Sequence, residues 1–114
     1  NLRRFMLHDP TRIDAAAVWI QTESTARARV RSRPWAGTDT LAQALRRVAV
    51  PKCGAWGDRD LTAYPYMESR RQLMADLGAA YIEIPDCGHW APYEQPAACL
   101  ELIESWSRRS KHPA

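Results

Sequence analysis

The chain has 114 residues, of which 46% are hydrophobic and 25% are charged. This length and composition indicate one globular domain or one piece of a larger one, and they exclude a disordered chain. No apolar run approaches the ~20 residues that cross a bilayer, and no secretion signal is evident, so we expect no membrane partner and a cytoplasmic location. Lysine and arginine number 16 against 13 aspartates and glutamates, and this mild basic excess favours a solvated face over a nucleic-acid partner.

The first predicted element is a helix that begins near residue 9. Asp9 suits its N-cap and Pro10 its first position, because the proline ring presets the backbone angle of a first helical turn. The apolar residues recur at helical spacing and are expected to form one buried side: Ile13, Ala16, Ala17 and Ile20.

The segment 27–33 contains four arginines that alternate with small residues. We expect this run to face water, and the alternative is a nucleic-acid-binding stretch. After a break at 34–37 a short amphipathic helix is predicted, with Thr38 or Asp39 as its cap. Its apolar side consists of Leu41, Leu45 and Val48.

The second half of the chain alternates between strand and helix patterns. The sequence predicts a strand at 52–56, a helix that Gly78 ends, a second strand within 79–86 and a last helix within 94–109. The buried stripe of the last helix is expected to hold Cys99, Leu102, Ile103 and Trp106. A strand–helix–strand unit makes its two strands parallel, and parallel sheets are covered on both faces. The pattern therefore predicts an α/β fold whose two strands need further partner strands.

The cysteines do not indicate a disulfide scaffold or a zinc site. Cys53, Cys87 and Cys99 are widely spaced and form no C-x-x-C motif. The histidines do not stand at ligand spacing from them. We therefore expect reduced thiols and no metal site.

Asp60 and His89 are the residues on which the predicted chemistry depends. Asp60 follows the first predicted strand, and His89 follows the second, between Gly88 and Trp90. Adjacent parallel strands lie ~4.8 Å apart and end at the same edge of a sheet, so the carboxylate and the imidazole are predicted to form a hydrogen bond there. Such a bond to Nδ1 would fix the tautomer of a general base and stabilise its protonated form. Asp58 is the competing acid and is expected to lie in the turn.

Two motifs in this region resemble the C-terminal end of α/β-hydrolase-fold enzymes. They are Gly57 followed at the third position by Asp60, and Gly88-His89-Trp90 followed by Glu94-Gln95-Pro96. The resemblance covers residues 40–106 well, and the motif around His89 is similar to that of meta-cleavage-product hydrolases, which cut C–C bonds in dienoic acids. It implies a helical cap or lid segment at 1–38, and the C-terminal part of the hydrolase sheet with its flanking helices at 39–109. The polar residues at 110–114 are expected to form a disordered tail.

The same resemblance implies the roles of the site residues. Asp60 would be the acid and His89 the base of a Ser-His-Asp triad that hydrolyses an ester or a C–C bond of a small organic substrate, without metal or cofactor. The nucleophile precedes both residues in this family, but the signature Gly-x-Ser-x-Gly is absent from the 114 residues. We therefore expect the nucleophile on an N-terminal segment of the same enzyme. The alternatives are an aspartate nucleophile, as in epoxide and haloalkane hydrolases, and a non-catalytic fragment that is stable only with its N-terminal half or as a homo-oligomer.

Substrate contacts are predicted for two tryptophans. Trp90 is expected to wall the pocket beside His89, and Trp19 to line a cavity of the cap, with core packing as the alternative for each. Glu94 is expected to cap the last helix or to form an ion pair near it. Three arginines are candidates for binding an anionic substrate through bidentate hydrogen bonds: Arg12, Arg27 and Arg29.

Overall fold

The computed structural model describes residues 1–111, which form a mixed α/β structure with a two-stranded parallel sheet. The N-terminal part is helical: a π-helical turn Leu2–Met6, a 3-10 turn Pro10–Arg12, α1 (Ala15–Arg27), α2 (Arg33–Ala36) and α3 (Thr40–Arg47). The C-terminal part alternates strands with helices: β1 (Cys53–Gly57), α4 (Met67–Asp76), β2 (Ala80–Ile84), α5 (Ala91–Glu94) and α6 (Pro96–Lys111).

The two strands lie side by side and parallel, with Cys53 opposite Ala80 and Gly57 opposite Ile84. The predicted strand–helix–strand unit is therefore confirmed, and both strands fall close to their predicted bounds. α4 makes the connection, because the end of one parallel strand is too far from the start of the next for a tight turn. The register ends both strands at the same edge of the sheet, from which the two loops that carry the predicted site residues continue.

The end of β2 is anchored in a small buried cluster. Ile84, Cys87 and Cys99 form this cluster, and Ala91 and Ala98 pack against it. The two cysteines act here as small hydrophobic residues, as the sequence predicts for Cys99. The segment that carries His89 thus leaves β2 from a buried support that also holds α5 and α6.

Gly78 ends the crossover helix as predicted. Its φ of +60° is a left-handed conformation that side-chain-bearing residues rarely adopt. Its N–H donates to the carbonyl of Ala75, and the N–H of Ala79 donates to the carbonyl of Met74, so two of the last helical carbonyls are satisfied. The chain turns directly from this cap into β2.

The beginning of α1 differs from the prediction. Asp9 caps only the 3-10 turn, where its Oδ1 accepts the N–H of Thr11 at 2.8 Å. Asp14 is the N-cap of α1, and its Oδ1 accepts the N–H of Ala17 at 2.9 Å. Both aspartates have a side chain suited to capping, and the second one ends the first turn before it can propagate. Of the predicted apolar side of this helix only Ala17 is fully buried.

The predicted burial of the α6 stripe is correct only in part. Cys99 is buried, but Ile103 is 64% exposed, so the prediction for Ile103 is wrong. Leu41 of α3 is exposed as well. The apolar side of α6 is thus covered at Cys99, whereas Ile103 and Leu41 remain exposed to solvent. Both helices border an apolar groove of about 610 Å³ beside β1, whose lining includes Leu45, Trp56, Met74, Ile103 and Trp106.

Other predictions concern the chain's ends and its arginine run. α6 continues through Lys111, into the segment 110–114 that was expected to be disordered, and residues 112–114 lie outside the described part. Residues 27–33 are exposed throughout, which confirms that the run faces water. Among residues 1–111, no helix combines the length and the apolar content that crossing a bilayer requires.

Candidate active site

The loops that follow β1 and β2 touch each other directly. A Cβ atom on Gly57 would lie 2.2 Å from the carbonyl oxygen of Cys87 and 2.3 Å from that of Gly88, so only glycine allows this approach. The N–H of Arg59 donates to the carbonyl of Cys87 at 2.9 Å. Asp58 accepts the N–H of Cys87 at 3.3 Å. These contacts fix the position from which the side chains of Asp60 and His89 extend.

Asp60 and His89 form a hydrogen bond. The distance between Asp60 Oδ2 and His89 Nδ1 is 2.9 Å, as the argument from parallel strand ends predicts. Asp60 is only 4% exposed, whereas the side chain of His89 is 46% exposed. Asp58, the competing acid, lies in the turn and contacts Cys87 instead. The structure therefore selects Asp60 as the carboxylate that orients the imidazole.

Asp60 is held in its charged form. Burial alone would raise the pKa of this carboxyl, but hydrogen bonds from His89 and Thr62 outweigh burial, and the pKa is lowered from 3.8. Asp60 is therefore a carboxylate at neutral pH. An anion next to Nδ1 favours a proton on that nitrogen and stabilises the imidazolium that forms when the ring accepts a second proton.

Thr62 belongs to the same cluster, although its sequence context does not single it out. Its Oγ1 lies 2.7 Å from Asp60 Oδ1 and 2.9 Å from His89 Nδ1. A threonine two residues after an aspartate has the pattern of an ordinary turn, so the sequence offered no signal for a contact with His89.

Glu94 has a role that differs from the predicted cap or ion pair. It is only 4% exposed, and its two carboxylate oxygens accept hydrogen bonds from two backbone N–H groups. Oε2 accepts from Gly88 at 2.6 Å, and Oε1 accepts from Asp9 at 2.5 Å. Glu94 thereby joins Gly88, the residue before His89, to Asp9 near the beginning of this chain. No sequence pattern indicates this contact, because Asp9 is distant in the chain.

The beginning of this chain, residues 1–12, packs against α5 through further hydrogen bonds. The N–H of Trp90 donates to the carbonyl of Met6 at 2.9 Å. One Nη atom of Arg12 donates to the carbonyls of Tyr93 and Glu94 at 3.1 and 3.2 Å. Arg12 thus satisfies carbonyls at the end of α5, and it does not reach Asp60 or His89. The predicted cap segment is therefore in contact with the loop that holds the histidine.

The other two candidate arginines do not reach the site either. Arg27 is exposed and pairs with Glu23 one helical turn earlier, at 2.7 Å. Arg29 follows α1 and is exposed. In the described part of the chain none of the three arginines contacts Asp60 or His89, so binding of an anionic substrate by one of them stays a prediction.

The two tryptophans predicted to contact substrate do not line the cavity beside His89. Trp90 packs edge-to-face against Tyr93, with ring centroids 6.1 Å apart. Trp19 lies on α1 and is 64% exposed. Neither lines the cavity described next, so their contact with a substrate stays a prediction.

His89 borders a cavity of about 190 Å³. Asp60, Thr62 and Arg70 contribute its polar lining, and β1 contributes Ala55, Trp56 and Gly57. A guanidinium nitrogen of Arg70 donates to the carbonyl of Ala63 at 3.0 Å, which fixes the end of the side chain. Within residues 1–111 no hydrogen bond engages Nε2 of His89, so this nitrogen is available to a reacting group.

The cysteine thiols of the chain are poorly suited to act as nucleophiles. Cys87 is two residues from His89, but burial and then the neighbouring Glu94 raise its pKa to about 12, so it is protonated and a weak nucleophile at neutral pH. Burial raises the pKa of Cys53 and Cys99 also, and all three thiols are free. Residues 1–111 contain no group of three or more side chains placed to hold a metal ion.

Comparisons with protein-family models, with curated proteins and with solved structures found no match to this chain.

Proposed function

We propose that this chain supplies the acid and the base of a hydrolase with the α/β-hydrolase fold, which acts on an ester or a C–C bond of a small organic substrate. The observation that carries the proposal is the 2.9 Å contact between the buried carboxylate of Asp60 and Nδ1 of the half-exposed His89. It is supported by the position of both residues after the ends of adjacent parallel strands, where ligand chemistry gathers in open α/β sheets.

The proposed reaction uses each group in a defined way. Nε2 of His89 accepts the proton of a serine hydroxyl while the serine oxygen forms a bond to the substrate carbonyl carbon. Asp60 stabilises the imidazolium that results. His89 then donates the proton to the departing alkoxide or carbanion, which leaves an acyl-enzyme. In the second half, His89 accepts a proton from water, the water oxygen forms the new bond to the carbonyl carbon, and the serine departs with the proton.

The nucleophile is proposed to lie on an N-terminal segment of the same enzyme. No Gly-x-Ser-x-Gly occurs in the 114 residues. In the described part of the chain, the groups that form hydrogen bonds with His89 are Asp60 and Thr62, and both bond to Nδ1 and not to the catalytic Nε2. In the described part of the chain β1 pairs with β2 on one edge and with no strand on the other, and the proposed segment would lie on this second edge and present the attacking group next to His89.

Hydrolysis of p-nitrophenyl butyrate tests this proposal. We expect the enzyme assembled from this chain and the nucleophile-bearing segment to turn over, and His89→Gln to lower kcat by about 10³-fold or more. The matched control is His8→Gln, since His8 is exposed and forms no hydrogen bond with Asp60 or His89, and this variant should retain activity within about 3-fold.

The isolated chain provides the second half of the test. It should show no multiple turnover that depends on His89. His89-dependent turnover by the isolated chain would contradict the external nucleophile, and an assembled enzyme that is unaffected by His89→Gln would contradict the base. If the assembled enzyme incorporates solvent ¹⁸O into one of its own aspartates in a single turnover, the nucleophile is that aspartate and not a serine.

A further inference from the structure

Thr62 contacts both members of the acid–base pair. Its hydroxyl oxygen lies 2.7 Å from Oδ1 of Asp60 and 2.9 Å from Nδ1 of His89. Its backbone N–H donates to the same Oδ1 at 2.8 Å. The cluster therefore has three side chains, although the resemblance to hydrolases predicts only two of them.

The hydrogens in this cluster can be assigned by counting donors and acceptors. The carboxylate of Asp60 is ionised and only accepts hydrogen bonds. A threonine hydroxyl has one hydrogen, and its shortest contact in the cluster is to this carboxylate. With that hydrogen directed at Asp60, Oγ1 can act towards His89 only as an acceptor. Nδ1 of His89 consequently faces two acceptor oxygens, Oδ2 of Asp60 and Oγ1 of Thr62.

A ring nitrogen between two acceptors must carry a proton. In the other tautomer the lone pair of Nδ1 would point at the carboxylate lone pairs from 2.9 Å, which is repulsive. We propose that Thr62 is a positioning residue, which orients the carboxylate of Asp60 and, with it, holds His89 as the Nδ1–H tautomer. Nε2 then keeps the lone pair that a general base requires. The catalytic meaning of this inference rests on the proposed function, but the tautomer itself does not.

Thr62 contributes to the orientation of the carboxylate and to the tautomer of His89 in ways that Asp60 alone does not. Its N–H and O–H both bond to Oδ1, which leaves Oδ2 directed at the imidazole. Replacement by valine keeps the shape of the side chain and the backbone bond, but it removes the second donor to a nearly buried anion and the second acceptor for Nδ1–H. Serine restores both at the same atom, so the pair of variants separates the hydroxyl from the bulk of the side chain.

The test is the tautomer of His89, read from the ¹⁵N shifts of its ring nitrogens in the uniformly labelled chain at a pH where the ring is neutral. We expect the wild type and Thr62→Ser to be mainly Nδ1–H. Thr62→Val should lower the ratio of Nδ1–H to Nε2–H by about 5-fold to 10-fold, the effect of one hydrogen bond. An unchanged ratio in Thr62→Val would overturn the inference. If the valine variant does not fold, as judged by far-UV circular dichroism, Thr62→Ala gives the same comparison.

Kinetics of the assembled enzyme separate this inference from the proposed function. Thr62→Val should lower kcat by about 10-fold and leave KM unchanged, and Thr62→Ser should restore kcat. If His89→Gln leaves hydrolysis unaffected while the tautomer still shifts in Thr62→Val, the proposed function fails and the positioning role stands. If the tautomer does not shift while His89→Gln abolishes hydrolysis, the positioning role fails and the proposed function stands.

Discussion

At the carboxyl ends of β1 and β2, polar side chains are buried and hydrogen-bonded. In the groove beside β1, by contrast, a large apolar side chain is exposed to solvent. Among the side chains of residues 1–109, every fully buried nitrogen or oxygen has a hydrogen-bond partner, including those of Asp60 and Glu94. Ile103, which borders the groove, is largely exposed. The site is thus organised by bonds within the chain, while the sheet that carries it is only partly covered. The geometry of the Asp60–His89 pair and the completeness of the hydrophobic core are therefore separate properties in this molecule.

Replacement of Gly57 at the end of β1 should lower the free energy of unfolding the most. We expect Gly57→Ala to lower the free energy of unfolding by about 3 kcal/mol or more, because the added methyl group would overlap the carbonyl oxygens of Cys87 and Gly88. Gly37→Ala is the matched control, since no atom lies within 4 Å of its added Cβ. Urea denaturation measures both, and equal effects of the two variants would show that the strand ends are not closely packed.

Removal of the Glu94 carboxylate is expected to have the next largest effect. Glu94→Ala leaves the N–H groups of Gly88 and Asp9 without their acceptor, which should cost about 2–4 kcal/mol of unfolding free energy. Glu101→Ala, at an exposed position of α6, should change it by no more than about 0.5 kcal/mol. Amide hydrogen exchange adds a local reading: the amide of Gly88 should exchange faster in Glu94→Ala. Unchanged protection there would mean that the carboxylate does not hold the His89 loop.

Asp60 predicts how stability depends on pH at the strand ends. Its pKa in the folded chain is below 3.8, so its contribution to stability is fully present above the unfolded pKa and is lost as the pH falls through the folded value. Wild-type stability should therefore decline more steeply between pH 5 and pH 3 than that of Asp60→Asn. Denaturation midpoints across this range measure the difference, and parallel profiles would contradict a lowered pKa.

The open groove should show the smallest effect. Ile103→Lys is expected to change the unfolding free energy by no more than about 0.5 kcal/mol, because the side chain is mostly in water and lysine is a good helix former. A loss of more than about 1 kcal/mol that grows with protein concentration would show that a second copy of the chain covers the groove in solution. In that case the groove beside β1 would be buried in solution, as the side chains at the strand ends are.

The sequence predicted what local patterns and chain direction determine. The two strands, the end of α4 at Gly78 and the meeting of Asp60 with His89 follow from periodicity, from glycine conformation and from the geometry of parallel strands. The predictions that were wrong concern features that the local sequence pattern alone does not determine. Periodicity shows that Ile103 is on an apolar side but not what packs on it, and two nearby aspartates compete to cap α1.

The supports of the histidine could not be predicted for the same reason. Glu94 finds one partner in the His89 loop and the other at Asp9, near the start of the chain. Thr62 has the appearance of a turn residue until the fold brings His89 beside it. The geometry of adjacent parallel strands therefore predicts the contact between Asp60 and His89, whereas the groups that hold this pair in place emerge only with the tertiary structure.

The most direct test of the role proposed for Asp60 compares two carboxylates that are two residues apart. Asp60 contacts Nδ1 of His89, and Asp58 contacts the N–H of Cys87. In ester hydrolysis by the assembled enzyme, Asp60→Asn should lower kcat by about 10³-fold to 10⁴-fold, and Asp58→Asn by less than about 10-fold. Equal losses in the two variants, or wild-type kcat in Asp60→Asn, would contradict the claim that Asp60 orients His89 as the base.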